Sequence, residues 1–154
     1  MRVVGDGGHA AVVRELIAAC GCLHGTVIAI GDNRIRKREA GKHPGLYPAL
    51  IHPRAIVSPS AIIGAGTVVM AGAIVAANAY IGAHCIVNHG ATVDHHCVVG
   101  DFAHIAPGAH LCGGVVVGEG TLVSVGVAVA PAAKIAPWSF LKTRRLEIES
   151  LASG

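Results

Sequence analysis

Aromatic side chains are scarce in this chain of 154 residues. Phe, Trp and Tyr make up 3% of the sequence, whereas 53% of the residues are hydrophobic, so the core must consist mainly of Ala, Val and Ile. Small branched side chains fill a narrow interior better than they fill the core of a β-sandwich or a doubly wound sheet. The scarcity of aromatics therefore argues against those two folds.

Charge is missing altogether between Ala55 and Ala83. An uncharged stretch of this length resembles a membrane span, but Ser58–Ser60, Asn78 and several glycines interrupt it, so we predict that it does not enter a membrane. The net charge of +3 is scattered and indicates no nucleic-acid partner. The one basic cluster, Arg34–Arg38, is predicted to form the solvated face of a short helix.

We expect no apolar leader at the start of the chain, because Met1–Gly8 is short and rich in glycine. Five cysteines without a leader predict reduced thiols and a cytoplasmic location. Cys20 and Cys22 have the wrong spacing for a redox or zinc pair, and Cys85 and Cys97 are expected in the core.

A six-residue period is the dominant pattern of the sequence, and neither a helix nor a flat strand produces it. A small residue stands two places before most aliphatic members of the series. Gly64, Gly82, Gly100 and Gly118 follow members directly, and we assign them the backbone freedom of a bend. Short strands and tight turns, three per coil, do produce such a period. The pattern predicts a left-handed parallel β-helix of about five coils over residues 51–141. The aliphatic series is Ile51, Val57, Ile63, Val69, Val75, Ile81, Val87, Val93, Val99, Ile105, Leu111, Val117, Val123, Val129, Ile135 and Leu141.

Residues 1–50 lack the period and predict a small, truncated α/β (βαβ) unit. Its expected elements are a strand at Arg2–Val4, a helix that ends near Cys20, a strand at Thr26–Ile30 and a short basic helix. The Gly-rich turn Gly5–His9 either binds phosphate at the helix start or is a plain tight turn. Residues 142–154 leave the repeat as a C-terminal tail, with a closing helix as one interpretation.

The outer surface of the predicted β-helix is unusually apolar. We expect a group of side chains outside the interior positions to be exposed, and an exposed apolar area of this kind implies a partner. Three copies around a threefold axis would cover it, so the sequence predicts a homotrimer with three identical clefts. The expected exposed residues are Val68, Met70, Ile74, Ile86 and Val98.

Ten histidines are present, and the six between residues 84 and 110 all avoid the interior positions. His84 and His89 have the spacing of two ligands of a β-helix zinc enzyme, but Pro48 stands where the third would be, so no metal site is predicted. A histidine base is the other interpretation. His95 and His104 are half a coil apart and should face different clefts of a trimer. A plain surface role stays open for each histidine.

Five stretches carry a resemblance to a known family. They are Gly7–His9, Ala29–Lys37, Leu50–Pro53, Val93–Phe102 and His104–Ala109. In combination the chain resembles the hexapeptide-repeat family of sialic acid O-acetyltransferases and nucleotide-sugar N-acetyltransferases, with a shortened N-terminal domain.

The resemblance implies acetyl transfer from acetyl-CoA, without a metal, to an amino or hydroxyl group of a sugar that is nucleotide-linked in some members. It implies that His95 is the general base and that the Gly113 N–H binds the developing oxyanion. It assigns His104, Gly113 and Val125 to the coenzyme. The sugar or its nucleotide is assigned to Gly7, Gly8, His9, Gly31 and Asn88.

Three departures from the family stand out. The residue after the base is usually acidic but here is His96, so either Asp94 or Asp101 orients the base or the base is weaker. The N-terminal unit lacks a strand that grips the nucleotide. The C-terminal tail differs, and Arg144 and Arg145 are assigned either to coenzyme phosphates or to the surface. The alternative function is therefore a trimeric binding or scaffold protein with impaired chemistry.

Overall fold

The computed structural model describes residues 1–142. Most of the predicted tail, including Arg144, Arg145 and the expected closing helix, lies outside the described residues. Within the described part of the chain, no helix is both long and apolar enough to cross a membrane.

A βαβ unit opens the chain, as the sequence predicts. Strands β1 (Arg2–Val4) and β2 (Thr26–Ile28) pair in parallel, and helix α1 (Gly8–Cys20) connects them. Helix α1 buries one apolar stripe against the rest of the molecule and ends at Gly21, whose φ of 66° suits glycine. Helix α2 (Asn33–Lys42) follows β2, and its N-cap side chain, Asp32, accepts a hydrogen bond from the Ile35 amide.

The rest of the described chain is a left-handed parallel β-helix, which confirms the predicted fold. Its two-residue strands pair in parallel with strands one coil away, as Val93 does with Val75 and Leu111. The strands are β3 (Leu50–Ile51), β4 (Ile56–Val57), β5 (Ile62–Ile63), β6 (Val68–Val69), β7 (Ile74–Val75), β8 (Tyr80–Ile81), β9 (Ile86–Val87), β10 (Thr92–Val93), β11 (Val98–Val99), β12 (His104–Ile105), β13 (His110–Leu111), β14 (Val116–Val117), β15 (Leu122–Val123), β16 (Ala128–Val129), β17 (Lys134–Ile135) and β18 (Phe140–Leu141). The first face contains β3, β6, β9, β12, β15 and β18, the second β4, β7, β10, β13 and β16, and the third β5, β8, β11, β14 and β17.

The predicted aliphatic series fills the interior of the coils. Its members from Val69 to Val129 are buried, together with the small residues that precede them, Cys85 and Cys97 among these. Burial weakens at the ends, where Ile51 is 36% exposed, because no further coil covers it.

The bends of the coil depend on a different position from the one the sequence suggested. Every sixth residue from Gly66 to Trp138 has a left-handed φ, and Asn78 and His96 are among the residues with a side chain that adopt it. Gly82, by contrast, has no positive φ. A Cβ there would lie 2.4 Å from Asp101 Oδ1. The series from Gly64 to Gly118 therefore permits close stacking of coils, and the assignment of backbone freedom to it was wrong.

Part of the expected exposed apolar surface is covered within the chain itself. Val68, Met70 and Ile86 are buried because helix α1 packs against the first face, so their predicted exposure was wrong. Ile74 and Val98, on the second and third faces, are exposed as expected. Exposed Ile56, Ile62 and Tyr80 extend this remaining apolar surface.

Arg36 joins the N-terminal unit to the β-helix. The sequence placed it on a solvated face, but its side chain is buried and binds the corner between the third and first faces. Its guanidinium donates to the carbonyls of Ile30 at 2.9 Å, His84 at 2.8 Å and Phe102 at 2.7 Å. Desolvation by burial lowers the pKa of Arg36 to about 10, so it stays charged at neutral pH.

Candidate active site

Most of the predicted site residues form two separate groups within one chain. The junction cluster, His9, Gly31, Asn88 and His104, lies where the N-terminal unit meets the first face. The corner cluster consists of the predicted Asp94, His95, His96 and Gly113 together with Asn78, which the sequence did not assign to the site, and it lies on the edge between the second and third faces. His104 thus lies on the first face of the β-helix, and His95 lies on the edge between the second and third faces.

Hydrogen bonds and ring contacts hold the junction cluster together. His104 is the outward residue of β12, and its Nε2 lies 3.1 Å from Asn88 Nδ2. The backbone of Gly31 also hydrogen-bonds to His104. The His9 ring lies 6.5 Å from the His104 ring, between centroids. Asn88 and His9, both assigned to the sugar or its nucleotide, are therefore neighbours of the residue assigned to the coenzyme.

Both junction histidines are held in the neutral state. Burial, reinforced by the positive charge of Arg36, lowers the pKa of His9 to about 4 and that of His104 to about 3. Nε2 of His9 is buried without a hydrogen-bond partner among the described residues. A neutral ring with an unused nitrogen can accept a hydrogen bond from a bound group or donate one to it.

A cavity of about 450 Å³ adjoins the junction cluster. The Gly-rich loop Gly5–His9 and the segment Ala29–Gly31 line it, together with Ile35. Gly7 is the N-cap of α1 and has no side chain to satisfy the first amides of the helix. Those amides can therefore bind an anion, which is the first of the two interpretations of this loop.

A second cleft, of about 330 Å³, was not predicted from the sequence. It lies between the start of α2 and the last coils, and Trp138 and Phe140 form part of its wall. The guanidinium of Arg34 lies over the Trp138 ring at 4.7 Å. The sequence feature that could have pointed to this cleft is Trp138, the only tryptophan in the chain. Val125, assigned to the coenzyme, lies in the turn after β15 and is exposed.

Gly113 stands directly above the imidazole of His95, one coil further along. A Cβ built on Gly113 would lie 2.6 Å from Cε1 and 2.7 Å from Nε2 of His95. Ordinary contact between such atoms begins at about 3.4 Å, so only glycine leaves room for the ring in this position.

The described part of the fold does not use the amide of Gly113. No backbone carbonyl among residues 1–142 accepts from it. The equivalent turn position holds Pro59, Pro107, Pro131 and Pro137, which have no N–H to donate. Among the described residues, the Gly113 amide is therefore available to donate to a bound group.

Neither predicted carboxylate contacts the His95 ring. Asp94 Oδ1 accepts from the backbone amide of His95 at 2.7 Å, and Asp101 Oδ1 accepts from the amide of Ala83 at another corner. The ring instead meets His96, with 3.1 Å between their Nδ1 atoms.

Comparisons with known proteins agree with this architecture. The family profile described as "Bacterial transferase hexapeptide (six repeats)" matches residues 60–95. The acetyltransferase domain of PglB from Neisseria gonorrhoeae FA1090, in complex with acetyl coenzyme A, is 36% identical with a TM-score of 0.84, over 90% of this chain and 85% of that one. PerB from Caulobacter crescentus, in complex with CoA and GDP-perosamine, is 36% identical with a TM-score of 0.84, over 90% of this chain and 83% of that one.

A more distant structure, WeeI from Acinetobacter baumannii AYE, shares the fold at 18% identity and a TM-score of 0.63, over 86% of this chain and 92% of that one. No curated protein gave a significant match. The fold and its repeat define a hexapeptide-repeat transferase. More particularly, the chain belongs to the family of left-handed β-helix sugar N-acetyltransferases that includes PglB and the perosamine enzyme.

Proposed function

We propose that this protein is an acetyl-CoA-dependent acetyltransferase that acts on an amino or hydroxyl group of a sugar. The observation that carries the proposal is that Gly113, whose amide has no backbone acceptor among the described residues, packs directly against the His95 ring. A base and an oxyanion donor on one side of a reacting carbonyl are what acyl transfer requires. PerB is bound to CoA and GDP-perosamine, so the acceptor class extends to nucleotide-linked sugars.

In this mechanism His95 Nε2 accepts a proton as the amine or hydroxyl attacks the thioester carbonyl. The Gly113 N–H donates to the oxyanion that develops on the carbonyl oxygen. The carbon–sulfur bond then breaks, and His95 returns its proton to the departing CoA sulfur. His95 is thus neutral again at the end of each cycle.

A homotrimer completes the site in this proposal. The exposed apolar residues of the second and third faces, such as Ile62, Tyr80 and Val98, favour a neighbouring copy over water. A neighbour on these faces lies beside the corner cluster and can present its own junction cluster to His95. The cleft between two protomers would then receive the sugar through the junction cluster and the coenzyme along the coils. A location in the cytoplasm, where acetyl-CoA is made, fits the five unpaired cysteines.

A trimeric scaffold without activity is the second candidate, and one observation favours it. His96 stands where the family has an acidic residue, and no carboxylate among the described residues contacts the His95 ring. A neutral neighbour stabilises the imidazolium less than a carboxylate does.

One experiment separates the two candidates. Purified protein is incubated with acetyl-CoA and a panel of amino sugars, free and nucleotide-linked, and release of the CoA thiol is measured. We expect release with at least one acceptor and a loss of about a hundred- to ten-thousand-fold in His95→Ala. Light scattering on both proteins checks that the trimer is intact. Equal rates with and without acceptor, or a His95→Ala variant within threefold of the parent, would favour the scaffold.

A further inference from the structure

The His95 ring is the first member of a chain of three side chains. Its Nδ1 lies 3.1 Å from Nδ1 of His96, and Nε2 of His96 lies 3.3 Å from Nδ2 of Asn78. All three side chains are exposed, and no other side chain of the described residues hydrogen-bonds to either ring. The far end of the chain is therefore Asn78.

The backbone fixes the geometry of this chain. Asn78 and His96 occupy the same corner on adjacent coils, with φ values of 57° and 58°. The carbonyl of Ala77 accepts from the backbone N–H of His96 at 3.0 Å, and the backbone N–H of Asn78 donates to Ser60 Oγ at 3.0 Å. The two side chains therefore leave the corner side by side, which places the amide group of Asn78 against the His96 ring.

The direction of the hydrogen bonds decides which nitrogen of His95 carries the proton. As the structure has it, the NH2 of Asn78 faces Nε2 of His96, which must then accept. His96 donates from Nδ1 to Nδ1 of His95, and the His95 proton is left on Nε2. In that tautomer the nitrogen above which Gly113 stands cannot accept a proton from a substrate.

A half-turn of the Asn78 amide reverses every bond in the chain. The amide oxygen then accepts from Nε2 of His96, Nδ1 of His96 accepts from Nδ1 of His95, and Nε2 of His95 carries a free lone pair. This is the tautomer that a base requires.

We propose that Asn78 is a positioning residue that sets the tautomer of His95 through His96, and that His95 acts as the base when Asn78 presents its oxygen. A neutral Asn–His pair thus performs the orienting task of the missing carboxylate. The proposal rests on the proposed acetyltransferase function, but the tautomer of His95 can be measured without any substrate.

The decisive variants are Asn78→Asp and Asn78→Gly. Aspartate only accepts hydrogen bonds, so it fixes the competent direction. Glycine deletes the side chain at a backbone conformation that Gly72 and Gly90 adopt at equivalent bends, so the fold is retained. Ala132→Gly is the matched control, because Ala132 has a φ of 56° at the same corner two coils away from His96.

Nitrogen-15 spectra of histidine-labelled protein report the tautomer directly, and His95→Gln assigns the signals. We expect the His95 proton on Nδ1 in Asn78→Asp, and a mixture that differs from the parent in Asn78→Gly. His95 signals identical in the parent and both variants would overturn the proposal, whether or not the protein is an enzyme.

Kinetics give the second measurement. We expect Asn78→Gly to lower kcat at least tenfold with KM for both substrates within twofold, and Asn78→Asp to restore or exceed the parent kcat. Ala132→Gly should match the parent. Loss of kcat in Asn78→Asp equal to that in Asn78→Gly would contradict the proposal. A parent without transferase activity but with the expected spectra would refute the function alone.

Discussion

Adding one methyl group at Gly113 should disable the site without unfolding the protein. The Cβ of alanine would lie 2.6 Å from Cε1 of His95, so the ring must recede by about 0.8 Å to regain ordinary contact. The backbone accepts the change, because Ala65, Ala71 and Ala77 hold the equivalent turn position. The ring is exposed and can rotate, so we expect the free energy of unfolding to change by less than about 1 kcal/mol.

The effect on catalysis should be much larger. A reacting group displaced by about 1 Å loses on the order of a hundredfold in rate, since its lone pair no longer points at the proton it must accept. We expect kcat for Gly113→Ala to fall roughly a hundredfold in the CoA-release assay. Gly41→Ala is the control, because a Cβ on Gly41 in α2 meets nothing within 4 Å. Its activity should equal that of the parent.

Proline at the same position separates the two roles of Gly113. It also carries a Cβ, it fits a turn position that Pro131 holds one coil away, and it removes the N–H. Gly113→Pro should therefore lose a further hundred- to thousandfold relative to Gly113→Ala, as loss of one oxyanion donor does elsewhere. Equal activity in the two variants would remove the amide from the mechanism. A Gly113→Ala variant within threefold of the parent would show that the ring is not held where the base must act.

Two further predictions concern the junction. Arg36→Ala leaves the carbonyls that it binds without a donor and should lower the free energy of unfolding by roughly 2–4 kcal/mol in urea, whereas Arg38→Ala, on the exposed side of the same helix, should change it by less than about 1 kcal/mol. Equal effects would mean that Arg36 does not hold the two parts together. The pKa values of about 4 for His9 and about 3 for His104 lie below the ordinary 6.5, so the unfolded chain takes up protons first on acidification, and each histidine should lower stability by on the order of 3 kcal/mol between pH 7 and pH 4. His104→Gln should remove about half of that dependence, and an unchanged slope in urea titrations at several pH values would exclude His104 as a source of it.

The repeat was readable from the sequence because it is local and periodic. Each aliphatic residue at a sixth position is buried for the same reason, so one rule identifies the interior from Val69 to Val129. The bends were harder to predict from the sequence, because six of the positions with a left-handed φ carry a side chain and only the others are glycine. The regular series from Gly64 to Gly118 therefore looked like the bend, although its function is close approach between coils.

Contacts between the N-terminal unit and the β-helix could not be read in the same way. Arg36 looks like any other residue of a basic helix, and its burial depends on carbonyls that lie about fifty or more residues away along the chain. The burial of Val68 and Ile86 under α1 has the same origin. A six-residue pattern identifies which side chains point outward, but it contains nothing about which of them another element covers.

The candidate base is the point at which sequence and structure must be combined. From the sequence, His96 is a departure from an acidic position, and Asp94 is the obvious substitute. In the structure Asp94 is occupied by the backbone amide of His95, and His96 is the group that contacts the ring. Since a neutral imidazole can either donate or accept, its effect on His95 depends on the next partner, Asn78. In a sequence comparison, His96 in place of an acidic residue looks like loss of function. It is nevertheless compatible with an oriented base, provided that Asn78, one coil away, supplies the hydrogen-bond acceptor.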